Sequence, residues 1–121
     1  MAKLRTFRDL IAWQKGMDLA RLVYRATEKM PASEKFGLTN QMRRAAVSIP
    51  SNIAEGYCRC GLADYLRHLR IARGSYGELS TQIELAASMS LMPSDAELEA
   101  LLAETERVLQ GLIKSLENRE K

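Results

Sequence analysis

The chain has 121 residues, 46% hydrophobic and 27% charged, a balance that excludes wholesale disorder and suits one folded domain over 1–121 with its own core. No apolar run approaches the roughly 20 residues of a membrane span, and Met1-Ala2-Lys3-Leu4-Arg5 lacks a signal peptide's apolar core, so a cytoplasmic location is expected. The net charge of +3 is unevenly spread: residues 1–73 hold 14 Lys/Arg against 6 Asp/Glu, and residues 74–121 hold 4 against 9. Such a split suits a basic face for phosphate, or one that docks on an acidic surface of a second copy.

The first predicted helix runs from about Arg8 to about Glu28. Leu10, Trp13, Met17, Ala20 and Tyr24 recur at helical spacing on one expected buried face, which Leu19, Leu22, Val23 and Ala26 widen. Met30-Pro31 ends it, because the residue before proline is pushed out of the α region. Ser33 to Gly37 reads as a short turn, after which Thr39 is the expected cap of the second helix. Leu38, Met42, Ala46, Ile49 and Ile53 form the apolar stripe of that helix, with Pro50 inside the pattern. Proline removes one N–H there and crowds the carbonyl of Ala46, so a kink or a break at Pro50 is expected.

The third helix carries the clearest pattern. Leu62, Tyr65, Leu69, Ala72, Tyr76, Leu79, Ile83 and Ala86 alternate spacings of three and four, as a bundle seam requires. Pro93-Ser94-Asp95 marks the last connection, with Ser94 as expected cap. Leu98, Leu101, Thr105, Val108 and Leu112 then define a fourth helix ending near Asn118. Four amphipathic helices, short connections and no period-two runs predict an all-α, antiparallel, up-down-up-down four-helix bundle.

Three groups of residues exceed what a plain bundle needs. Arg44, Ser48, Asn52 and Glu55 lie within about 80° of one another on the second helix, and Ser75, Glu78 and Gln82 form a matching row on the third. They read either as a solvated face or as a hydrogen-bonded network between the two helices. In the network, Arg44 would pair with Glu78 or Glu55, since an unpaired buried charge is costly. Arg59, Arg67, Arg70 and Arg73 form the densest basic segment, with His68 among them and Arg67, Arg70 and Arg73 expected to face outward. Lys15 and Arg21 could extend it together with Lys3, Arg5, Arg8, Arg25 and Arg43. They suit a phosphate-contacting surface, or simply a solvated one. Gly74 and Gly77 align with Arg70 and Thr81 away from the seam, where small residues admit another backbone, from this chain or a second copy.

No catalytic or metal site is expected. Cys58 and Cys60 close too short a loop for an ordinary structural disulfide, and His68, the one histidine, leaves a zinc site short of ligands. Gly-Lys-Ser/Thr and Gly-x-Ser-x-Gly motifs are absent, and no cofactor is implied.

The run Arg43-Arg44-Ala45-Ala46-Val47-Ser48-Ile49-Pro50-Ser51-Asn52-Ile53-Ala54-Glu55-Gly56 is more specific. Together with Phe7-Arg8-Asp9-Leu10, Trp13-Gln14-Lys15, Pro31 to Leu38, Gln41, Ile71-Ala72-Arg73-Gly74-Ser75, Glu78-Leu79 and Gln82, it resembles the four-helix-bundle proteins encoded by intervening sequences in bacterial 23S rRNA genes. That family is related to the accessory proteins of diversity-generating retroelements. The resemblance spans about residues 7–92. It implies a homo-oligomer, a ring-like pentamer, and a non-enzymatic protein that binds RNA or DNA or an acidic partner such as a reverse transcriptase through basic surfaces. Tyr57-Cys58-Arg59-Cys60 departs from the small polar and basic residues usual at that stretch.

Overall fold

Amphipathic periodicity resolves into four helices in the computed structural model, which describes residues 4–120: α1 Ile11–Thr27, α2 Leu38–Cys58, α3 Leu62–Ser88 and α4 Ala96–Glu120. Each packs on its neighbours in the chain, and α4 closes back on α1, the arrangement of an up-down-up-down bundle. There is no strand among the described residues. None of the helices is long and apolar enough to cross a membrane. Lys3, one of the expected basic residues, lies outside the described residues.

A capping box opens the chain at a 3-10 turn, Phe7–Asp9. Thr6 Oγ1 accepts from the Arg8 N–H at 3.1 Å, and the Asp9 carboxylate accepts from the N–H groups of Arg5 at 2.8 Å and Thr6 at 3.1 Å. Those two donors favour the ionised form and hold the Asp9 carboxyl below its usual range.

The buried face of α1 is the expected one in Leu10, Leu19, Ala20, Leu22, Val23 and Ala26, and differs in the rest. Ala12 and Gly16 are also buried, whereas Trp13 and Met17 are half-buried and Tyr24 is 45% exposed. The cause is close packing: a Cβ on Gly16 would lie 3.4 Å from both Ile49 and Pro50, so small residues face α2 and the large ones are displaced to its flank. The same contact explains Pro50. Helix α2 continues through it without a break, and the buried proline ring packs where Gly16 leaves room.

Helix α3 follows its seam, with Leu69, Ala72, Leu79, Ile83 and Ala86 buried and Leu62, Tyr65 and Tyr76 half-buried. On α4 the buried set is Leu98, Leu102, Thr105, Leu109, Ile113 and Leu116, so the expected Leu101, Val108 and Leu112 instead flank the core. Two expected caps are also corrected. Asp95, not Ser94, accepts from the Leu98 N–H at 3.1 Å. Thr39 caps nothing: α2 starts one residue earlier, Glu34 Oε1 accepts from the Leu38 N–H, and the Thr39 hydroxyl is buried without a partner.

Candidate nucleic-acid interface

At the α2–α3 contact Ser48, Asn52 and Ser75, three of the residues expected to form a network, are joined by hydrogen bonds, whereas Arg44, Glu78 and Gln82 are not and His68 is. Ser48 Oγ and Ser75 Oγ lie 2.7 Å apart, and Asn52 Nδ2 donates to Ser48 Oγ at 3.0 Å and to the Ser48 carbonyl at 2.9 Å. Asn52 Oδ1 then faces His68 Nδ1 at 3.1 Å, while Arg67 reaches His68 Nε2 at 3.3 Å. The Asn52 amide oxygen accepts from Nδ1–H, and Glu55 Oε2 lies 3.7 Å from Nε2. His68 is only 4% exposed, although the sequence placed it among outward arginines. Gly56 makes this proximity possible, because a Cβ there would sit 2.8 Å from His68 Cβ and 3.1 Å from the Tyr65 carbonyl.

Arg44 stays outside the network. It is exposed and forms no ion pair with Glu78 or Glu55 among the described residues. Glu55 instead pairs with Arg59 at 3.0 Å, and Glu78 is likewise exposed.

The basic residues sort into two populations. Those expected to form a phosphate surface are mostly engaged by neighbours: Arg59 by Glu55, Arg67 by Asp64 at 3.5 Å, and Arg70 by Glu117 at 2.9 Å. Arg73 donates to Gln110 at 3.1 Å, Lys15 meets Glu104 at 3.1 Å and Arg21 meets Asp18 at 3.0 Å. A cation beside a carboxylate attracts phosphate weakly, since the pair is nearly neutral a few ångströms away.

The second population lies where the C-terminal part of α1 meets the start of α2. Tyr24, Lys35, Phe36, Asn40, Arg43, Arg44, Val47 and Ser48 line a depression of about 610 Å³. Arg43 lies over the Tyr24 ring at 4.6 Å and donates to Thr27 Oγ1 at 2.8 Å, so its position is fixed without a carboxylate. Lys35 approaches the Phe36 ring at 5.5 Å, and Phe36 is 86% exposed. Neither Lys35, Arg43 nor Arg44 forms an ion pair among the described residues. The sequence does hold a signal for this surface: Lys35 and Phe36 precede Asn40, Arg43 and Arg44 by about two helical turns.

Two further features adjoin it. Trp13, Met17, Ala20, Tyr24, Val47, Pro50 and Ala54 line an apolar groove of about 760 Å³ between α1 and α2, rimmed by Arg21, Arg25 and Glu28. Phe36, Arg44, Ser48, Ser75, Glu78 and Gln82 line a polar recess of about 480 Å³ between α2 and α3.

The 23S rRNA-intervening sequence protein family matches residues 8–114, nearly the whole bundle. The chain belongs to that family. A crystal structure of a protein of unknown function from the S23 ribosomal protein family of Bacteroides thetaiotaomicron shares the fold, with a TM-score of 0.75 and 22% identity. The similarity covers 86% of this chain and 96% of that one. No curated protein matches the chain. The matched range takes in α4 as far as residue 114, although the residues of that helix show only a generic amphipathic pattern.

The remaining expected features are placed as follows. No group of three or more metal-ligating side chains occurs among the described residues. Cys58 and Cys60 are exposed thiols. A Cβ on Gly74 or Gly77 would meet nothing within 4 Å, so no contact within the described chain accounts for either glycine.

Proposed function

We propose that the protein is a non-enzymatic, homo-oligomeric, cytoplasmic protein that binds single-stranded nucleic acid at the α1–α2 end. The observation that carries this reading is the exposed Phe36 ring beside Lys35, Arg43 and Arg44, three cations without carboxylate partners among the described residues. A base unstacked from its neighbours can lie on such a ring, and the adjacent cations suit the phosphates that flank it. A duplex offers no open base face, so the single strand is the better fit. This site replaces the α3 arginines as the expected contact, because Arg67 and Arg70 are already paired with carboxylates.

The test is fluorescence anisotropy with labelled single-stranded RNA and DNA at several salt concentrations. Binding that weakens steeply with salt and is lost in an Arg43→Glu/Arg44→Glu variant supports the reading. Equal loss in an Arg67→Gln/Arg70→Gln/Arg73→Gln variant, with the first variant unaffected, overturns it in favour of α3.

A second reading, a protein-interaction scaffold, is favoured by the apolar groove along Trp13 and Met17 and by the open Gly74/Gly77 row. Leu85 and Met89, exposed near the end of α3 beside Glu84, would give a second copy an apolar, acidic surface for the groove and its arginine rim. Such a heterologous contact closes into a ring, and the family resemblance sets the expected copy number at five. An acidic partner such as a reverse transcriptase fits the same rim. Light scattering reads the copy number, and Met17→Glu should lower the mass if the groove holds a second copy.

A further inference from the structure

We infer that the polar recess between α2 and α3 reads one base of the bound strand and prefers guanine. This rests on the nucleic-acid reading above and names the feature of the strand that the site selects.

The recess and the basic depression share Phe36, Asn40, Arg44 and Ser48, so they are two sides of one surface. A strand held by Lys35 and Arg43 can therefore place a base past Phe36 into the recess. Its volume of about 480 Å³ leaves space for a base with water. The lining is held in place: Ser48 and Ser75 bond to each other, and Ser48 also accepts from Asn52. Their hydrogen-bonding capacity is largely used, so recognition falls to the other polar side chains.

Besides the amides of Asn40, Gln41 and Gln82, which can donate or accept, those side chains supply one carboxylate acceptor and one guanidinium donor. Glu78 presents a carboxylate that forms no ion pair among the described residues. Gln82 Oε1 is buried and lacks a donor. Arg44 supplies the donor. Guanine's pairing edge has two adjacent donors, N1–H and the N2 amino group, beside the O6 acceptor. A carboxylate takes two adjacent donors with its two oxygens, in a charge-assisted pair. Adenine and cytosine offer one amino donor beside an acceptor, and uracil offers one donor between two acceptors. Only guanine matches the carboxylate on two bonds and still presents an acceptor to a guanidinium.

The experiment measures anisotropy of oligouridine strands of about seven nucleotides, near the span of one small single-strand site. The central position carries guanine, inosine, adenine, cytosine or uracil. The guanine strand should bind about tenfold tighter than the adenine, cytosine and uracil strands, the scale of one good bidentate base contact. Inosine, which lacks the N2 amino group, should lose most of that advantage. Glu78→Gln should abolish the preference, bringing the guanine strand to within about threefold of the variant's own affinity for oligouridine. Equal affinity for all five strands, or a preference that survives Glu78→Gln, overturns the inference and leaves the nucleic-acid reading standing. Failure of every strand to bind overturns both.

Discussion

The α3–α4 face and the α1–α2 end are both rich in arginine, yet they differ in what surrounds each charge. On α3, Arg70 reaches Glu117 and Arg73 reaches Gln110, so the cations tie two helices together. At the α1–α2 end, Arg43 is anchored by a hydroxyl and an aromatic ring, and Arg44 and Lys35 stand beside an exposed Phe36. Density of basic residues in sequence does not tell which cations meet a carboxylate. That depends on which helices become neighbours, and the proposed function rests on that difference.

The sharpest way to break this comparison is charge reversal at the α1–α2 end. Arg43→Glu/Arg44→Glu should weaken single-strand binding about a hundredfold at moderate salt, since two lost phosphate contacts also forfeit two released counterions. Neutralising Arg67, Arg70 and Arg73 together should change affinity by less than about threefold, read in the same anisotropy titration.

Gly56→Ala tests whether the close approach of α2 and α3 holds the recess in shape. The new methyl would press on His68 Cβ and the Tyr65 carbonyl, which cannot move without shifting a helix. A loss of about 2 kcal/mol is expected in urea unfolding. Gly77→Ala, whose methyl would meet nothing in the chain, should instead raise stability by about 0.5 kcal/mol through helix propensity.

Arg70→Ala should cost no more than about 0.5 kcal/mol, because its pair with Glu117 is half-exposed and screened by salt. A larger cost would mean that the α3–α4 face contributes more than a solvated ion pair.

The smallest effect concerns Tyr65, whose hydroxyl is pushed up to about 12 mainly by burial and secondarily by Tyr57. The folded state then holds that proton more tightly than the unfolded chain, whose tyrosine titrates near its usual value of about 10. The stability tied to this group is fully present below pH 10 and is lost as the pH rises through about 12. Tyr65→Phe should flatten the fall in thermal stability across that range.

Much of the fold was legible in the residues. The unbroken three-and-four alternation of α3 places its core, and short polar residues such as Ser48 and Asn52 in a helix point to the network they form. The α1 face was misjudged at Trp13 and Tyr24, which look like core, whereas Gly16 is buried by admitting Ile49 and Pro50. His68 was read with its arginine neighbours, since nothing local announces that Asn52, 16 positions earlier, would lie beside it. The site itself was half legible. Arg44, Ser48, Ser75 and Glu78 were singled out, and the recess brings them together. The partners of the α3 arginines were not legible, because Glu117 and Gln110 lie on a helix whose register against α3 is a tertiary property.

The central claim is that nucleic acid meets the α1–α2 end, and photocrosslinking tests it most directly. A single-stranded RNA carrying 4-thiouridine would be irradiated with the protein, and the attached peptide located by mass spectrometry. The account predicts attachment within the segment from Lys35 to Ser48, or at Tyr24, and its loss in Phe36→Ala. Attachment centred on Arg67 to Arg73, unchanged by Phe36→Ala, would contradict it.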